Sequence, residues 1–289
     1  MHEGHLAFDL IRSVVRAVPE LRGKTRLARL ALRPFLKVGI AHLPDRFGNV
    51  LHLPSLEEPM SVNLFGFGVH EPDTLAAILH YLGPAGVFVD VGANVGVLTL
   101  PVAACRPDTR VICIEADPQI VALLERNVGE NVRENVSVVH CLAGPIDDRE
   151  VSFYRAPAAK FGMGSIGPQF DAPPVTLVQR PLDKVLDELA INDIDVVKLD
   201  IEGAEFGALQ GLRRRLTSPR PPAIVFEFCD WAEMRIAGQP AGSAQQFLLE
   251  LGYNLFRLAR GGRPGKQIKC PVTTGGIMMI LALPSSARK

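Results

Sequence analysis

The sequence predicts an α/β chain: a doubly wound, mainly parallel sheet of about seven strands, preceded by a helical extension and a small β meander. Three observations carry this expectation. From residue 87 onward, apolar β-branched runs alternate with stretches of helical spacing. The run Val87-Phe88-Val89-Asp90-Val91 breaks into Gly92-Ala93-Asn94-Val95-Gly96 and resumes as an apolar stretch, the strand, turn and helix that open a nucleotide-binding sheet. Near the end, runs at 253–258 and 276–283 read as two closing strands.

The elements follow in chain order. Residues 5–18 read as an amphipathic helix whose apolar stripe is Leu6, Ala7, Leu10, Ile11, Val14, Val15 and Val18, ended by Pro19. A second helix covers 23–33, up to Pro34. Residues 6–40 hold eight Lys or Arg against Asp9 and Glu20. Such a basic segment serves either as a membrane-surface or partner helix, or as a lid with a solvated basic face. Residues 1–45 are set apart as this extension, and 46–289 as the main domain. Residues 46–68, with Gly48, Pro54, Gly66 and Gly68, read as the meander. A helix over 71–82 stops at Gly83-Pro84.

After the opening unit, 110–116 is a strand, and Pro118 starts a helix to about 129. The third strand is 136–142, and 148–155 is extended. A Pro/Gly-rich loop covers 157–174, including Gly162-Met163-Gly164-Ser165. Residues 175–179 form a short strand and 181–189 a helix. The fourth core strand is 194–200, followed by a helix to about 216. The fifth strand is 223–228, and 244–251 is a helix.

Composition narrows the class of protein. Hydrophobic residues make up 47% of the 289, enough for a substantial core, and the formal net charge is +0. That balance points to no nucleic-acid partner. Cys105, Cys113, Cys141, Cys229 and Cys270 form no close pair, as reduced thiols in a cytoplasmic protein do. The seven histidines are scattered, so no metal site is expected. No apolar run approaches the roughly 18 residues of a membrane span, and no signal peptide is evident.

The opening turn discriminates between ligands. A dinucleotide fingerprint needs a glycine at its sixth position, where this chain has Val97. Asn94 stands where a third glycine is common, and Asn tolerates left-handed backbone. Asp90 at the strand end sits poorly beside a pyrophosphate but suits an ammonium. S-adenosylmethionine (SAM) offers an amino-acid end, a sulfonium and a ribose, with no phosphate. Glu115 lies 19 residues beyond Gly96, where a strand-end acid can accept both ribose hydroxyls. Adenosyl and dinucleotide ligands share that need.

A second stretch, Lys198-Leu199-Asp200-Ile201-Glu202-Gly203-Ala204-Glu205, carries a lysine and two acids on one side of a strand. They are costly to bury unless paired, and they end at the edge where open sheets bind ligands. Lys198 either pairs structurally with one acid while Glu202 and Glu205 serve the next helix, or joins Asp200 and Glu202 in a reacting centre. There Asp200 positions the ligands, Glu202 is the candidate base, and Glu227 on the fifth strand stands in reserve. Trp231, next to Asp230, either walls a substrate pocket or packs in the core.

Together, Val89 to Gly96, Ile114-Glu115-Ala116-Asp117-Pro118 and Val197 to Glu205 resemble the FkbM family of SAM-dependent methyltransferases, over about Phe65 to Pro284. The resemblance implies a Rossmann-like sheet with SAM as cofactor. It implies that Asp90, Gly92, Asn94 and Gly96 hold the methionine end, Glu115 the ribose, and Cys141 and Leu142 the adenine. It also implies O-methylation of a hydroxyl on a sugar or secondary metabolite. Two other readings stay open: an NAD-type oxidoreductase, against which Val97 and the acid-rich fourth strand argue, and a non-catalytic interaction protein built on the same fold. The sequence does not identify the acceptor, and oligomeric state is equally unmarked.

Overall fold

The computed structural model describes residues 2–19, 23–36 and 42–285. Chain order begins with α1 (His2–Ala17), α2 (Lys24–Leu32), β1 (His42–Pro44), β2 (Val50–His52), α3 (Pro59–Phe67) and α4 (Pro72–Tyr81). The first core unit is β3 (Val87–Val91), α5 (Thr99–Cys105), β4 (Arg110–Glu115), α6 (Pro118–Glu130) and β5 (Val136–His140). Strands β6 (Leu142–Ala143), β7 (Arg149–Phe153) and β8 (Val175–Arg180) make a three-stranded side sheet. The second core unit is α7 (Leu182–Glu188), β9 (Val196–Leu199), α8 (Glu205–Gly211), α9 (Arg213–Leu216) and β10 (Ala223–Cys229). The chain finishes with α10 (Asp230–Glu233), α11 (Ser243–Glu250), β11 (Tyr253–Ala259), β12 (Arg263–Ile268) and β13 (Ile277–Pro284).

The central sheet has eight strands in the order β12-β11-β13-β10-β9-β3-β4-β5. Five neighbours, β10 to β5, are parallel, and the last three pair antiparallel. Chain order reverses between β3 and β9, so a crevice opens at their carboxyl ends. The parallel strands are apolar throughout because both faces are covered. Val89, Val91, Val197 and Leu199 face α7, α8 and α11, while Phe88, Val111 and Val196 face α4 and α5.

The structure differs from the sequence expectation at several points. Only β1 and β2 pair in the expected meander; Pro59–Phe67 is the helix α3. Pro59 opens it, and the Glu58 side chain accepts the Met60 amide. Because α3 is buried nearly all round, it lacks the periodic stripe that marks a surface helix. The third strand stops at His140, and β6 leaves to join the side sheet. The helix after β9 breaks at Leu212 into α8 and α9. Strand β12 has no alternating pattern and contains Pro264 and Gly265, which an edge strand tolerates.

The stripe of α1 also changes. Phe8 and Val15 are buried and Ile11 half-buried, whereas Leu6, Leu10 and Val14 are 70%, 66% and 59% exposed. Phe8 decides the rotation: its ring lies 5.0 Å from Phe35 and 5.3 Å from Phe65. That cluster continues through Leu43, Leu51 and Leu64 to Val95, Val97 and Leu100, so the N-terminal helices and the glycine turn share one core. Among the described residues, no helix is long and apolar enough to cross a membrane.

Gly92 adopts φ +77, and a Cβ there would lie 2.0 Å from the Asp200 carbonyl oxygen. Gly92→Ala is expected to lower stability by about 3 kcal/mol or more. Gly129→Ala, in α6 with nothing within 4 Å of the added carbon, should leave it unchanged or raise it by about 0.5–1 kcal/mol. Urea unfolding of both variants checks the contrast.

Candidate active site

A crevice open to solvent lies at the carboxyl ends of β3, β4 and β9. Its floor is the glycine turn. Gly92 and Ala93 donate to the Ile114 carbonyl at 2.9 and 3.1 Å, stitching the turn to β4. Asn94 sits at φ 52, and its side-chain oxygen accepts the Val95 amide at 2.8 Å, a local bond that favours this left-handed backbone. Gly96 does not line the crevice. It lets the turn approach α6, since a Cβ there would lie 3.1 Å from Leu124.

Glu115 ends β4 on the crevice wall. One carboxylate oxygen accepts the Asn94 amide at 2.9 Å, and the other accepts the Ala116 and Asp117 amides, both at 2.9 Å. Burial raises its pKa, against those three bonds. The carboxylate is thus fixed in place while keeping lone pairs for a ligand. Cys141, directly after β5, and Leu142, the first residue of β6, also line the crevice.

Lys198 joins the other wall to the floor. Its ammonium donates to the Gly92 carbonyl at 3.0 Å and lies 3.4 Å from Asp90 and 3.5 Å from Asp200. Burial works to lower its pKa, but Asp90, Asp200 and Glu71 raise it by more, so the ammonium stays charged. Asp90 departs from expectation. Its residue is 0% exposed and is not on the crevice wall; one oxygen accepts from Thr99 at 2.7 Å and the other faces Lys198. Its inward position in the strand commits its carboxylate to these partners beneath the floor. Asp200, by contrast, reaches the wall.

The remaining acids are not gathered on that wall. Glu202 and Glu227 are absent from the lining. Burial, then repulsion from Asp200, pushes the Glu202 carboxyl up to about 7, against the pull of Arg235. Burial and the neighbouring Asp200, Glu202 and Glu205 push Glu227 up to about 10, so it is protonated at neutral pH. Asp230 is engaged by the Thr274 and Gly275 amides, and Trp231 carries the Arg235 guanidinium 4.4 Å above its ring.

The Pro/Gly-rich loop covers the crevice. Phe161, Gly162 and Ser165 line it, and a Cβ on Gly162 would lie 3.0 Å from the Asn94 side chain. The Ser165 hydroxyl donates to the Glu202 carbonyl at 2.8 Å. Sequence reasoning missed His70 and Glu71, which also line the site. The only signal was Glu71-Pro72 ahead of a helix, which reads as a cap.

Removing one partner of a buried ion pair leaves an uncompensated charge, at about 3–5 kcal/mol. Lys198→Met is expected to lose about that much stability, and Asp90→Asn combined with Lys198→Met should recover part of it. Denaturant unfolding of the single and double variants measures the coupling.

Comparison with known proteins identifies the family. Residues 90–255, more than half the chain, match the model of the methyltransferase FkbM domain. The 2-O-methyltransferase NoeI of Sinorhizobium fredii is 27% identical over 165 residues, covering 51% of this chain and 65% of that protein. The ribosomal RNA small subunit methyltransferase G of Nitrosospira multiformis is 31% identical over 97 residues, 34% of this chain and 42% of that protein. The chain therefore spans less than two thirds of the length of either relative. A solved precorrin-6y C5,15-methyltransferase from Geobacter metallireducens overlaps 73% of this chain and 86% of its own, with 18% identity and a TM-score of 0.44. On the family match, the chain belongs to the FkbM family of SAM-dependent methyltransferases.

Proposed function

We propose that the crevice holds SAM and that the chain transfers its methyl group to a hydroxyl oxygen of a sugar or secondary metabolite. One observation carries the reading: a fixed carboxylate, Glu115, and an acid-lined edge at Asp200 face one crevice across a tight glycine turn. The residues fit the cofactor. The acids suit a cationic, phosphate-free ligand, and Gly92 and Asn94 leave the floor clear for its amino-acid end. In this reading Glu115 takes the ribose hydroxyls, Cys141 and Leu142 face the adenine, and Gly96 shapes the turn from behind. Asp90 contributes through Lys198. The relative named as a 2-O-methyltransferase supports oxygen as the target.

Bound SAM would supply an activated methyl group on a sulfonium sulfur. The chain itself supplies proximity and alignment, worth about 7–11 kcal/mol in the best cases. Lys198 holds Asp200 at the edge to position the reactants. Glu202, two residues beyond Asp200 and outside the crevice lining, is the candidate to receive the hydroxyl proton once the acceptor is seated; a carboxyl at about 7 is matched to that task near neutral pH. Glu227, already protonated there, serves as a neutral neighbour and not as the base.

A base must be deprotonated to act, so transfer should fall as pH drops through about 7. Glu202→Gln is expected to keep SAM affinity within a few-fold, lose roughly 10²–10⁴-fold in transfer, and abolish that acidic limb. The measurement is S-adenosylhomocysteine release from labelled SAM over a panel of hydroxylated sugars and natural products, with an RNA oligonucleotide as comparison. Transfer at the wild-type rate by Glu202→Gln would remove Glu202 from the mechanism, and transfer to the RNA alone would overturn the small-molecule acceptor.

A further inference from the structure

An amino-acid end brings an ammonium, and an ammonium in a water-poor crevice needs a carboxylate. Asp90 does not reach it: it is 0% exposed and off the crevice wall, one oxygen accepts from Thr99, and the other, without a hydrogen-bond partner, lies beneath the floor 3.4 Å from Lys198. We propose that Glu71 accepts the ammonium of the cofactor's amino-acid end. The proposal rests on the reading of the crevice as a SAM site.

Four observations lead to Glu71. It lines the crevice with Gly92, Lys198 and Asp200. Its backbone is left-handed at φ 45, a conformation costly for a glutamate, and Pro72 holds the chain directly after it. It occupies the N-cap of α4, yet its side chain makes no capping bond and is turned to another use. One of its oxygens, Oε2, is shielded from water and has no hydrogen-bond partner among the described residues.

The neighbouring cations do not satisfy it. His70 Nε2 lies 3.5 Å from the other oxygen, beyond a good hydrogen bond. Burial, helped by Lys198, lowers the His70 pKa against the pull of Glu71 and Asp200, so the ring is neutral at pH 7. Asn63 sits 3.3 Å from its Nδ1. Lys198 is committed to Gly92, Asp90 and Asp200. A half-buried carboxylate with one oxygen shielded from water and lacking a hydrogen-bond partner carries a desolvation cost that an ammonium would relieve.

The test uses two probes that differ only at the end in question. S-adenosylhomocysteine carries the amino-acid end; 5′-methylthioadenosine shares the adenosine and sulfur and lacks it. Calorimetry on the full chain compares wild type with Glu71→Gln. Loss of a charge-assisted hydrogen bond should weaken S-adenosylhomocysteine roughly 10–100-fold and leave methylthioadenosine within two- to three-fold. The ligand-free variant should melt at or above the wild-type temperature, because a neutral amide costs less to shield from water than the carboxylate it replaces. Equal weakening of both probes, an unchanged S-adenosylhomocysteine affinity, or a variant that melts early would each overturn the assignment. If wild type binds neither probe, the crevice reading itself fails and takes the proposal with it.

Discussion

The ligand edge depends on one buried charge. Lys198 stands opposite Asp90 in the β3–β9 register, at the point where the sheet's chain order reverses. An ammonium there survives only because Asp90, Asp200 and the Gly92 carbonyl surround it. The same contacts join β3 to β9, fix the carbonyl of the turn and hold Asp200 at the rim. A neutral side chain would keep the strands paired but release the turn and the rim acid from each other. The floor of the crevice and the Asp200 rim are therefore one electrostatic unit.

Around that unit, burial grades the carboxyls. Glu202 is pushed up to about 7, Glu205 to about 8 and Glu227 to about 10, first by desolvation, with repulsion from Asp200 adding to each. Near neutral pH the edge thus carries less negative charge than its composition suggests. Glu205 is tied down by the Ile201 amide at 2.9 Å, which shapes the tight turn leading into α8. The acids of one short motif consequently sit in different surroundings: Asp200 on the crevice wall beside Lys198, Glu202 outside the lining, and Glu205 bonded into the turn.

The N-terminal helices belong to the same mechanical picture. Phe8, Phe35 and Phe65 pack into the cluster that reaches Val95 and Val97 behind the glycine turn, and Phe161 of the covering loop joins it from the other side. The turn is braced from below by Lys198, from behind by this cluster and from above by Gly162 against Asn94.

Much of this is legible in the sequence. The strand runs, the Gly92–Gly96 turn, the Glu115 position and the Lys198–Asp200 pair all follow from local spacing, because burial on both faces demands apolar strands and a left-handed turn demands glycine or Asn. The failures have one physical cause. Helix α3 lacks a polar face, β12 lacks an apolar one, and the stripe of α1 is split by Phe8 finding aromatic partners far along the chain. The sequence by itself determined which residue types could form a sheet edge for a cationic nucleoside ligand. Only the tertiary structure decided which carboxylate does what. It turned Asp90 inward to Lys198 and brought Glu71, 127 positions before Lys198, to the same crevice with an oxygen unpaired. A carboxylate's role is set by the partners that surround it, and those arrive from elements that sequence spacing does not connect.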